Sequence, residues 1–166
     1  MGFDEAFDRL ISHEGGYLSP EDAAKQGDPG GETHWGISRR SYPDVDIAGL
    51  TRDGAKAIYF RDFWTPLTAA SVNPAVLFQL FDYAVNSGIS NALRAFQSAV
   101  GVAPDGHVGP VTIAAAKLVE IHDMLMLVLA ARLEFMTGLS NWPSAGRGWA
   151  RRIAGNLRYA AADTPD

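Results

Sequence analysis

Apolar residues recur along most of this chain at the spacing of helix faces. The first such face consists of Phe3, Phe7, Leu10 and Ile11, which predicts a helix over residues 4–14. Further helices are predicted over residues 51–63, 74–86, 91–100, 111–119, 121–136 and 145–161. Together these segments predict an all-α fold.

Residues 15–37 interrupt this periodicity. The segment is dense in Gly, Pro and Asp and includes Asp28-Pro29-Gly30-Gly31, which is typical of turns. It therefore predicts a long loop that contains at most a short β-hairpin. Loops of this length inside a compact domain are usually functional.

The apolar positions also predict which side chains are buried. Trp64 and Tyr83 are expected in the core, as is the stripe formed by Met124, Leu125, Val128 and Leu129. The last helix is expected to bury Trp149, Ile153, Leu157 and Ala160 and to expose Arg147, Arg151 and Arg158.

The amino-acid composition limits the kinds of site and partner that this chain can have. The chain has 166 residues, 47% of them apolar, a formal charge of −5 and no cysteine. The missing cysteines exclude disulfides, a thiol nucleophile and thiolate-bound zinc. The four histidines lack ligand spacing, so we expect no metal and no organic cofactor. A net negative chain is a poor general partner for nucleic acid, and none is expected.

The sequence also bears on location. Acidic residues dominate the first thirty positions, the reverse of a signal peptide's basic start, so synthesis in the cytoplasm without such a signal is expected. The longest apolar run, residues 124–131, is about a third of a bilayer span, which predicts a core helix and no stable membrane association. A monomer is expected.

Glu14 is the first candidate for catalysis. It extends the apolar face of the first predicted helix and lies at that helix's C-terminus. Burial and the helix dipole both disfavour its charge, so both raise the pKa of the carboxyl group. A protonated carboxyl is what a general acid in glycoside hydrolysis needs. The alternatives are a surface glutamate at a frayed helix end and one tied to a buried arginine.

Two motifs around Glu14 are specific to one family. His13-Glu14-Gly15-Gly16-Tyr17 and the stretch from Asp28 to Ile37 resemble the glycoside hydrolase family 108 muramidases, found among phage endolysins and bacterial cell-wall hydrolases. The likeness continues through Tyr59, Trp64, Phe81-Asp82, Asn86-Ser87-Gly88 and Gln97.

From Asn86 onward the chain resembles the predicted peptidoglycan-binding region often paired with that catalytic part. The residues that carry this likeness include Asp105-Gly106 and Gly109-Pro110. The resemblance implies a catalytic part over residues 1–85 and a helical, peptidoglycan-binding part over residues 86–166, packed into one compact unit. The alternative is that the second motif only forms a turn between two helices.

The resemblance implies a lysozyme-like helical domain that hydrolyses the β-1,4 bond between N-acetylmuramic acid and N-acetylglucosamine in peptidoglycan. Glu14 matches the family's catalytic glutamate, and the bare backbone of Gly16 would let a polysaccharide approach it. The second catalytic group is Asp28 or Thr33, assisting a water molecule. The alternative roles are a turn former before Pro29 for Asp28 and a loop hydroxyl for Thr33.

Further residues are candidates for binding the sugar. Tyr17 and Trp35 flank the loop and could stack on pyranose rings, whereas Glu32 is expected to face solvent. Asn86 could hydrogen-bond an N-acetyl group. Its competing role is to end the helix beside Gly88.

The partner that the resemblance implies is peptidoglycan, reached once a holin or similar protein has opened the membrane. Phage, prophage and gene-transfer-particle origins are all compatible with it. Two other functions remain open. One is a wall-binding or secretion-assisting module without turnover, and the other is a lytic transglycosylase, which needs an acid but no water-placing group.

Overall fold

The computed structural model describes residues 1–12, 16–26, 31–68, 70 and 72–164. The chain forms two compact units, residues 2–62 and residues 63–166 with Met1. The first unit contains α1 (Phe3–Ile11), α2 (Pro20–Gln26), β1 (Thr33–His34), β2 (Ile37–Ser38) and α3 (Arg52–Tyr59). The π-helical turn Phe60–Trp64 follows.

The described residues of the second unit form helices joined by loops, without a strand. It contains α4 (Thr65–Thr68), α5 (Pro74–Ser87), α6 (Ile89–Ala99), α7 (Pro110–Ala116), α8 (Ile121–Thr137) and α9 (Trp142–Asp163). The predicted all-α fold and the short hairpin in its loop are therefore confirmed. Across the described segments, no helix has the length and apolar character that crossing a bilayer requires.

The first helix forms as predicted but is described over a shorter range. Asp4 and Glu5 occupy its first turn and Arg9 its last, which suits the helix dipole. Phe7 and Leu10 are fully buried. The helix ends at Ile11, and residues 13–15 lie outside the described part of the chain.

The predicted loop over residues 15–37 holds a helix that the turn residues concealed. Pro20 begins α2, and the backbone N–H of Asp22 donates to the Ser19 hydroxyl at 3.2 Å, as in an N-terminal cap. Ala23 is buried and anchors the helix. The expectation of loop throughout this segment was wrong at α2, because a proline that breaks a helix interior also favours a helix start.

A tight hairpin follows α2. Thr33 pairs with Ser38 and His34 with Ile37, while Leu18 forms a further bridge to Thr33. The two turn residues, Trp35 and Gly36, have φ angles of 53° and 77°. Two successive positive φ angles give the turn whose twist matches a two-residue hairpin.

Helix α5 is central to the second unit. Its N-terminus is capped by Asn73, whose side chain accepts from the Ala75 N–H at 2.8 Å, and Pro74 is its first residue. The helix packs against α6, α8 and α9. Tyr83, buried on α5, and Trp64, which precedes the helix, confirm the core positions predicted for them.

Helix α8 confirms its predicted core stripe, because Met124, Leu125, Val128 and Leu129 are all buried. Helix α9 does not follow its predicted pattern in full. Arg147, Arg151 and Arg158 are exposed as expected, but Leu157 is exposed and Asn156 is buried in its place. The reason is a hydrogen bond from the Asn156 amide to Asp82.

Asp82 is the centre of a buried charge cluster that joins three helices. Its carboxylate, 1% exposed, accepts from Arg132 Nη1 on α8 at 2.5 Å and from Arg152 Nη2 on α9 at 2.7 Å. Asn156 Nδ2 donates to it at 2.7 Å. Arg132 is itself fully buried.

Burial acts against charge on both members of the central ion pair. It would raise the pKa of Asp82, but the charges of Arg132 and Arg152 outweigh it and hold that pKa well below its usual range. Burial also lowers the pKa of Arg132, against the attraction of Asp82. The carboxylate therefore stays ionised inside the second unit.

The predicted functional boundary between residues 85 and 86 falls inside α5, which lies entirely in the second unit. The boundary between the two compact units falls earlier in the sequence, between residues 62 and 63. A division of function at residue 85 stays a prediction, since a boundary of packing is a different property from a boundary of activity.

We expect Asp82→Asn to lower the free energy of unfolding by about 3–5 kcal/mol at neutral pH, because it leaves two arginines without their carboxylate. Because folding lowers the pKa of Asp82, its contribution is present above the unfolded value of about 3.9 and disappears as the pH falls through the folded value. Urea denaturation between about pH 7 and pH 2 measures this difference.

The control is Asp44→Asn, since Asp44 is exposed, and its effect should stay within about 0.5 kcal/mol. A gap between wild type and Asp82→Asn that stays constant down to the lowest pH would contradict the assignment of the stability to an ionised Asp82.

Candidate active site

The structure describes four of the six predicted site residues. Tyr17, Thr33 and Trp35 lie in the first unit, and Asn86 lies in the second. Glu14 and Asp28 lie outside the described residues, so their predicted roles as acid and water-placing group stay predictions.

A buried carboxylate that the sequence did not single out holds the loop together. Glu32 Oε1 accepts from the Tyr17 hydroxyl at 2.8 Å, and Oε2 accepts from Arg39 Nη2 at 2.8 Å and Nε at 3.2 Å. Glu32 is 9% exposed. The expectation that it faces solvent was wrong, because three donors compensate its removal from water.

These contacts fix the protonation of the pair. The hydrogen bond from Tyr17, followed by those from Arg39, lowers the pKa of Glu32. The same bond to Glu32 raises the pKa of Tyr17. Glu32 is therefore an ionised acceptor and Tyr17 a protonated donor at neutral pH. Glu32 therefore lacks the raised pKa that a carboxyl group needs to act as a general acid.

Arg39 extends this arrangement along the chain. Its Nη1 donates to the carbonyl of Val45 at 2.5 Å and to that of Pro43 at 3.3 Å. Its backbone N–H donates to the Glu32 carbonyl at 2.8 Å. One guanidinium thus connects the hairpin, the buried carboxylate and the loop that follows. No local sequence pattern marks it, since an arginine seven positions after a glutamate has no preferred geometry in a loop.

Three rings form a row beside this carboxylate. The Tyr17 and His34 rings meet edge to face with centroids 5.5 Å apart, and His34 stacks on Trp35 at 5.3 Å with an interplanar angle of 15°. Trp35 Nε1 donates to the Leu50 carbonyl at 3.0 Å, and His34 Nδ1 lies 3.1 Å from the Ile47 carbonyl. Because a carbonyl can only accept, Nδ1 carries the proton.

The row places ring edges and faces on a surface of the first unit. Tyr17 is 46% exposed, and Trp35 is half-buried with its indole N–H already engaged. Aromatic rings with fixed polar atoms present apolar area of the kind that packs against a pyranose. The structure thus places both predicted stacking residues in one cluster and adds His34 between them.

Trp35 has an unusual backbone. Its φ of 53° is a left-handed conformation, which costs a residue other than glycine about 1–2 kcal/mol. The conformation is held from two sides. The ring donates to Leu50, and the Trp35 carbonyl accepts from the buried Tyr59 hydroxyl at 3.0 Å. Strain that the surrounding contacts hold in place is a feature of functional sites.

Thr33 is half-buried at the start of the hairpin. Its backbone exchanges hydrogen bonds with Leu18 at 2.8 and 3.0 Å, which fixes its position. Its hydroxyl donates to the Gly31 carbonyl at 3.1 Å. Since that bond uses the hydroxyl hydrogen, the oxygen lone pairs are what Thr33 can offer to a water molecule.

Asn86 lies in the last turn of α5 and is exposed. Its Nδ2 donates to the Asp82 carbonyl at 2.7 Å, so the amide helps to close the end of the helix. Gly88 follows with φ of 90° and ends α5. The helix-ending role weighed for Asn86 is therefore present, while its contact with a sugar stays a prediction.

The second motif, around Asp105-Gly106, forms the loop between α6 and α7. Gln97 is 1% exposed and donates to Asp105 Oδ1 at 2.7 Å, while the Gly106 N–H donates to Gln97 Oε1 at 2.7 Å. Gly106, with φ of 85°, adopts the left-handed conformation that glycine accepts without strain. Within the described residues, no three histidine or acidic side chains converge to hold a metal.

The helical fold, with a short hairpin and an aromatic row in its long loop, is of the lysozyme-like class. Residues 7–88 match the model of the family described as glycosyl hydrolase 108. This match confirms the resemblance in the sequence motifs and supports the assignment of the chain to this family. Peptidoglycan hydrolysis is the activity that the family match indicates.

A solved structure supports the same assignment. The structure of Brucella abortus SagA is similar with a TM-score of 0.84 and 29% sequence identity, and the match covers 99% of this chain and 96% of that one. No curated protein sequence matches this chain significantly.

We expect Tyr59→Phe to destabilise the first unit by about 1 kcal/mol, because it removes the hydroxyl that donates to the Trp35 carbonyl. Urea denaturation monitored by tryptophan fluorescence measures the loss. An unchanged denaturation midpoint would show that this bond does not hold the strained turn.

Proposed function

We propose that the protein is an endolysin-type N-acetylmuramidase that cleaves the β-1,4 bond between N-acetylmuramic acid and N-acetylglucosamine in peptidoglycan. The observation that carries the proposal is the family match over residues 7–88. That span includes Glu14-Gly15-Gly16-Tyr17 and the hairpin loop. The aromatic row in the same unit is consistent with a polysaccharide substrate.

Glu14 is the proposed general acid. It would donate its proton to the bridging oxygen as the glycosidic bond breaks and the sugar develops oxocarbenium character. Three hydrogen-bond donors and a lowered pKa keep the carboxylate of Glu32 ionised. Glu32 therefore has no proton to donate, which supports Glu14 as the acid.

Asp28 or Thr33 is the proposed second group, which places a water molecule against the anomeric carbon. A carboxylate in this position would remove a proton from the water, whereas the Thr33 hydroxyl oxygen would accept a hydrogen bond from it and orient it. The engagement of the Thr33 hydrogen with Gly31 supports the second possibility for that residue.

Tyr17, Trp35 and Asn86 are the proposed substrate contacts. The two rings would stack on sugars, and the exposed Asn86 amide would hydrogen-bond an N-acetyl group. No metal or organic cofactor enters the proposed reaction, since a carboxylic acid and a positioned water are sufficient for glycoside hydrolysis. The exposed Arg147, Arg151 and Arg158 would attract the anionic wall.

We expect Glu14→Gln to reduce the release of reducing ends from purified peptidoglycan by at least about a hundredfold while sedimentation with the wall is retained, because an amide cannot donate this proton. Glu5→Gln is the matched control, since Glu5 lies on α1 and is exposed. Asp28→Ala and Thr33→Ala in the same assay identify the second group, whose loss lowers turnover.

Three results would overturn this assignment. Undiminished cleavage by Glu14→Gln would exclude Glu14 as the acid. Anhydromuramic products in the mass spectrum would identify a lytic transglycosylase instead. Wall binding by the wild type without any cleavage would favour the non-catalytic module.

We further propose that the enzyme acts on the wall after a holin or similar partner has opened the membrane, as its resemblance to phage endolysins implies. Expression of the enzyme alone in bacterial cells should leave the culture turbid, and co-expression with a holin should clear it. Clearing at the same rate without a holin would contradict this dependence.

A further inference from the structure

The first unit contains two clusters of the same composition. In the loop clamp, Glu32 accepts from Tyr17 and from two nitrogens of Arg39. In the second cluster, Asp62 accepts from the Tyr42 hydroxyl at 3.0 Å and from Arg61 Nη2 at 2.7 Å and Nε at 2.5 Å. Each cluster thus consists of a tyrosine, a carboxylate and an arginine.

The loop clamp differs from the second cluster in what surrounds it. Its carboxylate is more deeply buried, with a side chain 10% exposed against 28% for Asp62. Its arginine also binds the carbonyls of Pro43 and Val45. The burial of Glu32 and the additional bonds of Arg39 distinguish the loop clamp from an exposed ion pair, which contributes little to stability.

The tyrosine of the loop clamp is held at its hydroxyl group. The Tyr17 hydroxyl is bound to Glu32, yet 46% of the residue remains exposed. Its ring also borders the row through His34. An exposed ring with a fixed hydroxyl has already lost the rotational freedom that a mobile side chain would lose on binding a ligand.

We propose that Glu32, held by Arg39, is a positioning residue that orients the ring of Tyr17 for contact with a sugar of the glycan chain. This inference rests on the proposed function, which supplies the glycan. Glu32 acts through Tyr17 and does not touch the substrate itself. Its contribution is to substrate binding, and the chemical step is left to other groups.

If the loop clamp orients Tyr17, variants of the clamp should weaken substrate binding and leave turnover nearly unchanged. Tyr17→Phe keeps the ring and removes the hydroxyl, while Glu32→Gln keeps the size of the acceptor and removes its charge. Each should raise KM for peptidoglycan, and the Kd for a soluble β-1,4-linked hexamer of N-acetylglucosamine, by about three- to tenfold. Each should leave kcat within about twofold of the wild type.

The double variant tests whether Glu32 acts through Tyr17. If it does, Tyr17→Phe combined with Glu32→Gln should bind no more weakly than the weaker single variant. Tyr42→Phe is the matched control, because it removes the same kind of bond in the same unit but lies in the second cluster. It should leave both Kd and KM unchanged.

Several outcomes overturn the inference while the proposed function stands. They are wild-type Kd and KM in Tyr17→Phe, additive losses in the double variant, and an equal loss in Tyr42→Phe. Wild-type affinity in Tyr17→Ala would likewise show that the ring does not contact the glycan. If Glu32→Gln fails to fold, Tyr17→Phe decides alone. A wild-type protein that neither binds the hexamer nor cuts peptidoglycan would instead refute the proposed function.

Discussion

The second unit depends on one buried carboxylate. Asp82 on α5 holds Arg132 of α8 and Arg152 of α9, so three helices share a charge that has no access to water. Such a cluster stabilises the fold only while every member is paired, since an unpaired buried charge costs several kcal/mol. The contact therefore makes the packing of these helices mutually dependent. It is also the reason that α9 turns Asn156 inward.

The first unit uses the same chemistry for a different purpose. Glu32 joins residues that are distant in the loop, and a loop without a hydrophobic core of its own needs such polar contacts to keep one conformation. Ile37 is the main apolar anchor of the hairpin. A long loop can thus present rings at its surface because hydrogen bonds, and not apolar packing alone, define its shape.

The periodicity of apolar residues predicted those features of the fold that depend on the burial of apolar side chains. The core stripe of α8 and the all-α fold followed from it, while Pro74 and Gly88 placed the ends of α5 to within one residue. It could not predict α2, whose start depends on a local cap, or the clamp at Glu32 and the cluster at Asp82, whose partners are brought together only by the tertiary fold. The family motifs directed attention to Tyr17 and Trp35, although Glu14 and Asp28 lie outside the described residues.

The turn at Trp35 carries a consequence for how this protein tolerates change. Asparagine adopts a left-handed backbone far more readily than tryptophan, and Asn-Gly is the dipeptide that such hairpins favour. A library selected for heat resistance alone would be drawn toward asparagine here. The indole would then be lost, and with it the ring proposed to contact the sugar, so thermal tolerance and the proposed carbohydrate contact favour different residues at this position.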